Sequence, residues 1–244
     1  MEFKIKLAGR VIEVKAMYPY IKKYCEGYVC DEPADFSVET TQADLEFERE
    51  KSARDDIAEG RAVIDHPNSY LETLAVYRKI VEKLMEYDAL LFHGSAIAVD
   101  GVAYLFTAKS GTGKSTHSSF WRQTFGDRAV MVNDDKPLLK LTDKGVLVCG
   151  TPWNGKHNLG TNMTAPLQAI CILERGEQNE IAEITAQDAL PMLLQQSHRP
   201  GNPAAMVTYM QIMDRLTKNL KFYRLKCNLN PEAAMVAHEG MRPK

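Results

Sequence analysis

Ala108-Lys109-Ser110-Gly111-Thr112-Gly113-Lys114-Ser115-Thr116 follows the apolar run Val102-Ala103-Tyr104-Leu105-Phe106 and precedes Thr116–Phe125, a stretch that reads as a helix. Strand, glycine-rich loop and helix in that order are the context a phosphate-binding loop requires. Gly111 and Gly113 lack a Cβ, so the backbone can turn its N–H groups toward a polyphosphate. The helix that follows points its positive end at the same anion. The set Ser110, Gly111, Thr112, Gly113, Lys114, Ser115 and Thr116 is therefore expected to bind nucleotide, with Lys114 on the β- and γ-phosphates and the Ser115 hydroxyl on Mg²⁺. Ala108 occupies the first glycine position of the usual pattern, which works if that residue keeps a negative φ.

Outward from the loop, Ala89–Val99 is apolar and β-rich, with His93-Gly94 inside it, and Asp100-Gly101 is a hairpin turn signal that returns the chain into the loop-bearing strand. Ala129-Val130-Met131-Val132 reads as a buried strand ending in Asn133-Asp134-Asp135. Carboxylates at a strand end beside a phosphate loop are where a phosphoryl-transfer enzyme holds Mg²⁺ or orients a nucleophile. Two adjacent carboxylates permit a division of labour between metal and proton acceptor. His93 lies on the strand paired with the loop-bearing one, so its ring can approach the Asp134-Asp135 corner and orient a carboxylate there. Lys156, in Trp153-Asn154-Gly155-Lys156-His157, is a candidate for the charge that stabilises a transferring phosphoryl group. Arg175 is a weaker candidate for contact with nucleotide or substrate.

The flanks read as follows. Residues 2–15 form a hairpin about Gly9-Arg10, Tyr18–Val29 a short helix, Phe36–Thr40 a strand, and Tyr70–Tyr87 a helix opened by Pro67-Asn68-Ser69. Leu138–Leu141 and Val146–Val148 flank an Asp143-Lys144-Gly145 turn. Leu167–Leu173 is a strand with Ile181–Ile184 as its expected partner. Helical patterns cover 185–197 and 203–219, Phe222–Leu225 is a strand, and Pro231 opens a last helix. The chain is expected to be α/β, a P-loop nucleotide-binding core (67–244) with a small N-terminal α+β appendage (1–66).

Composition narrows the partners. A net charge of −2 over 244 residues offers no general attraction for nucleic acid. Asp31–Glu59 carries eleven carboxylates against three basic residues, a local charge of −8 that suits a solvated face or a docking surface for a basic peptide. The five cysteines are scattered without paired spacing, and Cys149 and Cys171 sit in apolar runs as core thiols. Neither an apolar signal core nor a membrane-length apolar run is evident, so a cytoplasmic, membrane-free setting is expected.

Three features occur in order: His93-Gly94, Ser110-Gly111-Thr112-Gly113-Lys114-Ser115 and Asp134-Asp135. Together they resemble the catalytic domain of HPr kinase/phosphorylase, whose fold is shared with the phosphoenolpyruvate carboxykinases, over roughly residues 88–175. The resemblance implies that Lys114 and Ser115 bind phosphates and Mg²⁺, and that one of Asp134 and Asp135 is the general base toward a serine-like hydroxyl while the other holds metal through water. It also implies that His93 keeps the base ionised. The metal-side set is Ser115 and Asp135, and which carboxylate is the base stays open. Thr116 stands where that family usually has an acidic residue, Thr151–Gly160 does not reproduce its substrate-contact segment, and the first 87 residues do not look like the regulatory domain of the long enzymes. These departures point away from HPr as substrate. They point toward the small HPr-kinase-related proteins that accompany peptide-modification genes.

The expected activity is therefore an ATP- and Mg²⁺-dependent kinase acting on an alcohol, foremost a serine hydroxyl of a peptide or protein, precursors of modified peptides included. Two alternatives stand beside it: a small-molecule kinase or carboxykinase-like enzyme on the same fold, and a nucleotide-binding regulatory module without transfer. A GTPase switch is disfavoured by the lack of an Asn-Lys-x-Asp motif. A homo-oligomer is compatible with the sequence.

Overall fold

The N-terminal hairpin forms because Phe3, Ile5 and Leu7 alternate with polar residues and so bury one face. In the computed structural model, which describes residues 1–242, β1 (Glu2–Leu7) pairs antiparallel with β2 (Arg10–Lys15). The chain reverses through Ala8 and Gly9, both at positive φ. A short helix α1 (Tyr20–Tyr24) and a strand β3 (Phe36–Glu39) follow, and β3 lies parallel to β2.

The acidic stretch becomes a 17-residue helix, α2 (Gln42–Ala58), started by a Thr41/Asp44 capping box. Its inward carboxylates are paired with α3 (Asn68–Leu84): Arg78 donates to Glu48 at 2.6 Å and to Asp44 at 3.2 Å, and Lys79 lies 2.7 Å from Asp44. Asp44 is consequently held at a pKa of about 2; burial alone would raise it, but the Lys79 and Thr41 hydrogen bonds win. Glu72 of α3 is fully buried and accepts from the Met17 and Tyr18 N–H groups and from the Thr40 hydroxyl.

Residues Met1–Lys83 form one unit and the chain from Leu84 onward another. The division falls at the last residue of α3, whereas the boundary read from sequence, 66/67, falls ahead of the helix.

The second unit contains β4 (Ala89–Leu91), β5 (Ser95–Val99), β6 (Val102–Thr107), α4 (Lys114–Phe125), β7 (Ala129–Asn133), β8 (Leu138–Thr142) and β9 (Gly145–Cys149). It continues with β10 (Thr164–Arg175), β11 (Glu180–Ile184), α5 (Ala186–Gln196), α6 (Pro203–Asn219), β12 (Lys221–Cys227) and α7 (Glu232–Met241). The sheet runs β4-β8-β9-β10-β6-β5-β7, with β12 also on β10 and β11 on β12. β10 joins two halves: Thr164–Pro166 pair antiparallel with β9, and the rest pairs parallel with β6 and β12.

β4 ends this path, yet only Phe92–Gly94 separates it from β5 near the other end. Three residues reach roughly 10 Å, so the sheet must curl back on itself. The expected single run Ala89–Val99 is thus two strands broken at His93-Gly94. A second difference concerns β11, which pairs with β12 rather than with β10. β12 arrives after α5 and α6 and inserts beside β10, taking the place that sequence proximity suggested for β11.

Alternation along β6 feeds two cores. Ala103 and Leu105 join Phe92, Ile170, Tyr209 and Ile212 under α5 and α6. Tyr104 and Phe106 join Trp121, Cys171, Leu225 and Met241 under α4 and α7. Burial raises the Cys149 and Cys171 thiols, consistent with core packing. Among the described residues no helix is long and apolar enough to cross a membrane.

Candidate active site

The strand–loop–helix at residues 102–125 is present as β6, the glycine-rich loop and α4. Ala108 is buried and keeps a negative φ, so the alanine fits where the usual pattern has glycine. Gly111 (φ 76°) and Gly113 (φ 120°) lie in the left-handed region with open space at the Cβ position, so backbone conformation rather than crowding selects glycine there. Thr112 closes a turn by donating through both N–H and hydroxyl to the Lys109 carbonyl. Arg175, at the end of β10, donates to the Gly111 carbonyl at 2.7 Å. α4 starts at Lys114 with no side-chain cap on its first N–H groups, which leaves that end suited to an anion.

Lys114 folds back, its Nζ 3.3 Å from the Ala108 carbonyl. Burial pushes its pKa down, and the charge of Asp135 partly offsets this. The inner face of α4 is anchored by His117, Trp121 and Phe125. Trp121 donates to His117 Nε2 at 2.9 Å, and burial holds the His117 pKa at about 3, so the ring is neutral with its proton on Nδ1. Ser110, Ser115 and Thr116 are exposed on the loop and the first turn.

The second group sits where β7 ends. Asn133 is fully buried and organises the corner. Its Oδ1 accepts from the Asp135 and Lys136 N–H groups at 2.8 and 2.6 Å. Its Nδ2 donates to the Thr151 and Trp153 carbonyls and to the Thr151 hydroxyl. One amide therefore ties the carboxylate turn to the 151–160 loop.

From that loop the Gly155 N–H donates to Asp134 Oδ1 at 2.6 Å. A Cβ at Gly155 would come within 3.4 Å of both carboxylate residues. Lys156 and His157 follow at the surface. Trp153 is buried as a packing anchor.

His93 meets Asp135: its Nε2–H donates to Oδ1 at 2.7 Å, and the Gly94 N–H donates to the Asp135 carbonyl at 2.9 Å. The segment is pinned on both sides, with His93 N–H on the Gln196 carbonyl and its own carbonyl accepting from Thr107. Gly94 cannot be larger, because a Cβ would lie 2.9 Å from Leu105 Cδ2 and from the Phe106 carbonyl. Burial pushes the Asp135 carboxyl upward, but the His93 hydrogen bond and the charges of Lys136, His93 and Lys114 outweigh it. Asp135 is thereby held below the ordinary carboxylate range.

Two clefts flank the start of α4. One, of about 510 Å³, is bounded by Gly111, Thr116, His117, Phe120, Arg175 and Leu229. The other, of about 360 Å³, runs from Ser115 and Asp134 along α4.

The structure brings Lys114 and Asp135 close enough to interact electrostatically, joins His93 to Asp135, and sets Lys156 one residue beyond the group that binds Asp134. Sequence reading did not show the hub role of Asn133, which looked like a strand-end turn residue. It also did not show that Arg175 clasps the loop itself. Both depend on partners distant in the chain.

The chain belongs to the SynChlorMet cassette protein ScmC family, whose profile matches residues 63–231. Among solved structures it is similar to the Hpr(Ser) kinase/phosphatase from Coxiella burnetii, with 12% identity, 61% of this chain and 94% of that one covered, and a TM-score of 0.38. No curated protein matches the chain.

Proposed function

We propose that this protein is an ATP- and Mg²⁺-dependent kinase that transfers the γ-phosphoryl group to an alcohol, foremost a serine hydroxyl of a peptide or protein such as the precursor of a modified peptide. The observation that carries the reading is the convergence of the Lys114-bearing loop on the Asp134-Asp135 corner: Ser115 and Asp134 line one cleft, and the charges of Lys114 and Asp135 act on each other. A glycine-rich turn without that corner binds anions. With it, the site also holds a proton acceptor and a metal-side carboxylate.

The residues take these roles. N–H groups of Ser110–Thr116 and the open end of α4 cradle the phosphates, and Lys114 neutralises them. The nucleoside occupies the cleft beside Thr116, Phe120 and Arg175. Ser115 and Asp135 offer hydroxyl and carboxylate oxygens, the hard donors Mg²⁺ takes together with phosphate oxygens and water. Bound there, Mg²⁺ neutralises charge on the transferring and leaving phosphates. His93 orients Asp135 and holds it ionised, so in this assignment the histidine serves the metal-side carboxylate and not, as the family resemblance implies, the base. Asp134, fixed on one side by the Gly155 N–H, opens into the cleft along α4 and takes the proton of the acceptor. The acceptor oxygen forms a bond to the γ-phosphorus, the bond from that phosphorus to the β,γ-bridging oxygen breaks, ADP departs, and the proton ends on Asp134. Lys156 supplies positive charge to the equatorial oxygens.

The test is release of ADP from Mg-ATP with and without a pool of serine-containing peptides and small hydroxy compounds. Acceptor-stimulated release that is lost in Lys114→Ala and Asp134→Asn supports the kinase. Tight nucleotide binding with no release stimulated by the pool supports a regulatory module instead.

A further inference from the structure

Resting on the kinase reading, we propose that the acceptor carries a carboxylate close to its hydroxyl, and that Arg122 holds it. Ser115, Ser118, Ser119 and Arg122 recur at helical spacing and define one face of α4. Ser115, Ser119 and Arg122 are exposed on it. His117, Trp121 and Phe125 occupy the adjoining buried face, and Ser118 is buried beside them.

Ser118 is accounted for, bonded to the Ser95 hydroxyl at 2.6 Å and to the Lys114 carbonyl at 3.0 Å. With Ser118, the exposed Ser115, Ser119 and Arg122 line the cleft of about 360 Å³ that Asp134, His157 and Leu159 also line. That volume lies at the small end for ligand sites, so it suits a short acceptor or one residue with its neighbour.

Arg122 is the cation of this cleft. In the same unit Arg128 pairs with Asp100, Arg215 with Asp88, Arg224 with Glu174, and Arg175 binds the Gly111 carbonyl. The Arg122 side chain is exposed and makes no hydrogen bond or ion pair among the described residues. Long side chains on a helix lean toward its N-terminus, so the guanidinium reaches back over the turn that bears Ser118 and Ser119. Seven residues of helix put Ser115 and Arg122 roughly 10 Å apart along the axis, and one cleft holds both with Asp134. A hydroxyl at Asp134 and an anion at Arg122 fit within one short molecule. The planar fork of arginine selects a carboxylate by paired hydrogen bonds, and His157 on the facing loop can add a donor.

Two sources share this chemistry: a carboxylate on the same residue as the hydroxyl, as in a free hydroxy acid or C-terminal serine, and an acidic side chain next to serine within a peptide. Matched pairs separate them: N-acetylserine against N-acetylserinamide, and end-capped Ser-Asp against Ser-Asn peptides. Binding is measured by NMR titration with and without ADP and Mg²⁺, and KM and kcat with Mg-ATP. In at least one pair the acid binds about tenfold more tightly, the effect of one charge-assisted contact. Arg122→Gln removes that preference and raises KM for the acid far more than it lowers kcat, with Mg-ATP affinity unchanged.

The pair that shows the preference identifies the source. Equal or equally undetectable binding of both members of each pair overturns the proposal, as does a preference that survives Arg122→Gln. Failure of the kinase reading is distinguishable: it appears as no Mg-ATP binding or no turnover with any acceptor, while the carboxylate preference measured without nucleotide still reports on Arg122.

Discussion

His93 Nε2 donates to Asp135 Oδ1 at 2.7 Å while the Gly94 N–H holds the Asp135 carbonyl at 2.9 Å, so one dipeptide at the break in the sheet grips both the side chain and the backbone of a single aspartate. Asp135 has a folded-state pKa below the ordinary carboxylate value. It therefore contributes stability that is present above its unfolded pKa of about 3.9 and lost as pH falls through the folded value. His93→Ala deletes the hydrogen bond. Acid unfolding should move to higher pH and the acid limb of turnover should shift upward with it. Circular dichroism against pH checks the first and a pH–rate profile the second.

Lys114 has the opposite sign. Burial lowers its folded pKa, so the charged ammonium costs stability at neutral pH, a cost relieved only as pH rises from the folded value to the unfolded one. Lys114→Met should leave the protein no less stable in thermal melts while Mg-ATP affinity falls about 100-fold, the worth of a strong charge-assisted contact. A variant that is less stable yet binds nucleotide normally would assign Lys114 to the fold instead.

The strand–loop–helix at 102–125 was legible because its cues are local: the uninterrupted apolar run of β6, the glycines at the two left-handed positions, and Lys114-Ser115 opening α4. What stayed hidden is non-local. The acidic segment gives a weak helical pattern, and its helix α2 depends on Arg78 and Lys79, more than twenty residues away, to pair Asp44 and Glu48. The pairing of β11 with β12 is set by a strand that returns only after two helices. At the site, the Asn133 amide joins its local partners Asp135 and Lys136 to the distant Thr151 and Trp153 only once those two are folded against it.

That arrangement makes Asn133 a positioning residue. Asn133→Ala should destabilise the protein by about 2–4 kcal/mol, since it strands several buried polar groups. It should also lower kcat more than it raises KM for ATP, because the loop at Lys114 is untouched. Denaturant melts and steady-state kinetics read the two effects. A loss confined to stability would reduce Asn133 to a fold residue.

In the N-terminal unit, Glu72 gathers the Met17 and Tyr18 N–H groups and the Thr40 hydroxyl into one buried carboxylate. Glu72→Ala should cost about 3 kcal/mol, and Thr40→Val about 1, because the first leaves the Met17 and Tyr18 N–H groups unpaired and the Thr40 hydroxyl with only the Lys15 carbonyl, and the second removes one donor. Hydrogen exchange should show the loss first at the Met17 and Tyr18 amides.

The central claim is phosphoryl transfer to an alcohol, and following the γ-phosphate itself tests it most directly. Mg-ATP labelled at that phosphate is incubated with the serine-containing and hydroxy-acid acceptors, and the products are resolved by mass spectrometry. The account predicts a labelled phosphate ester that forms with wild type and is absent with Lys114→Ala and Asp134→Asn. Label found only in inorganic phosphate or left in ATP, with nucleotide demonstrably bound and every acceptor class present, would contradict it.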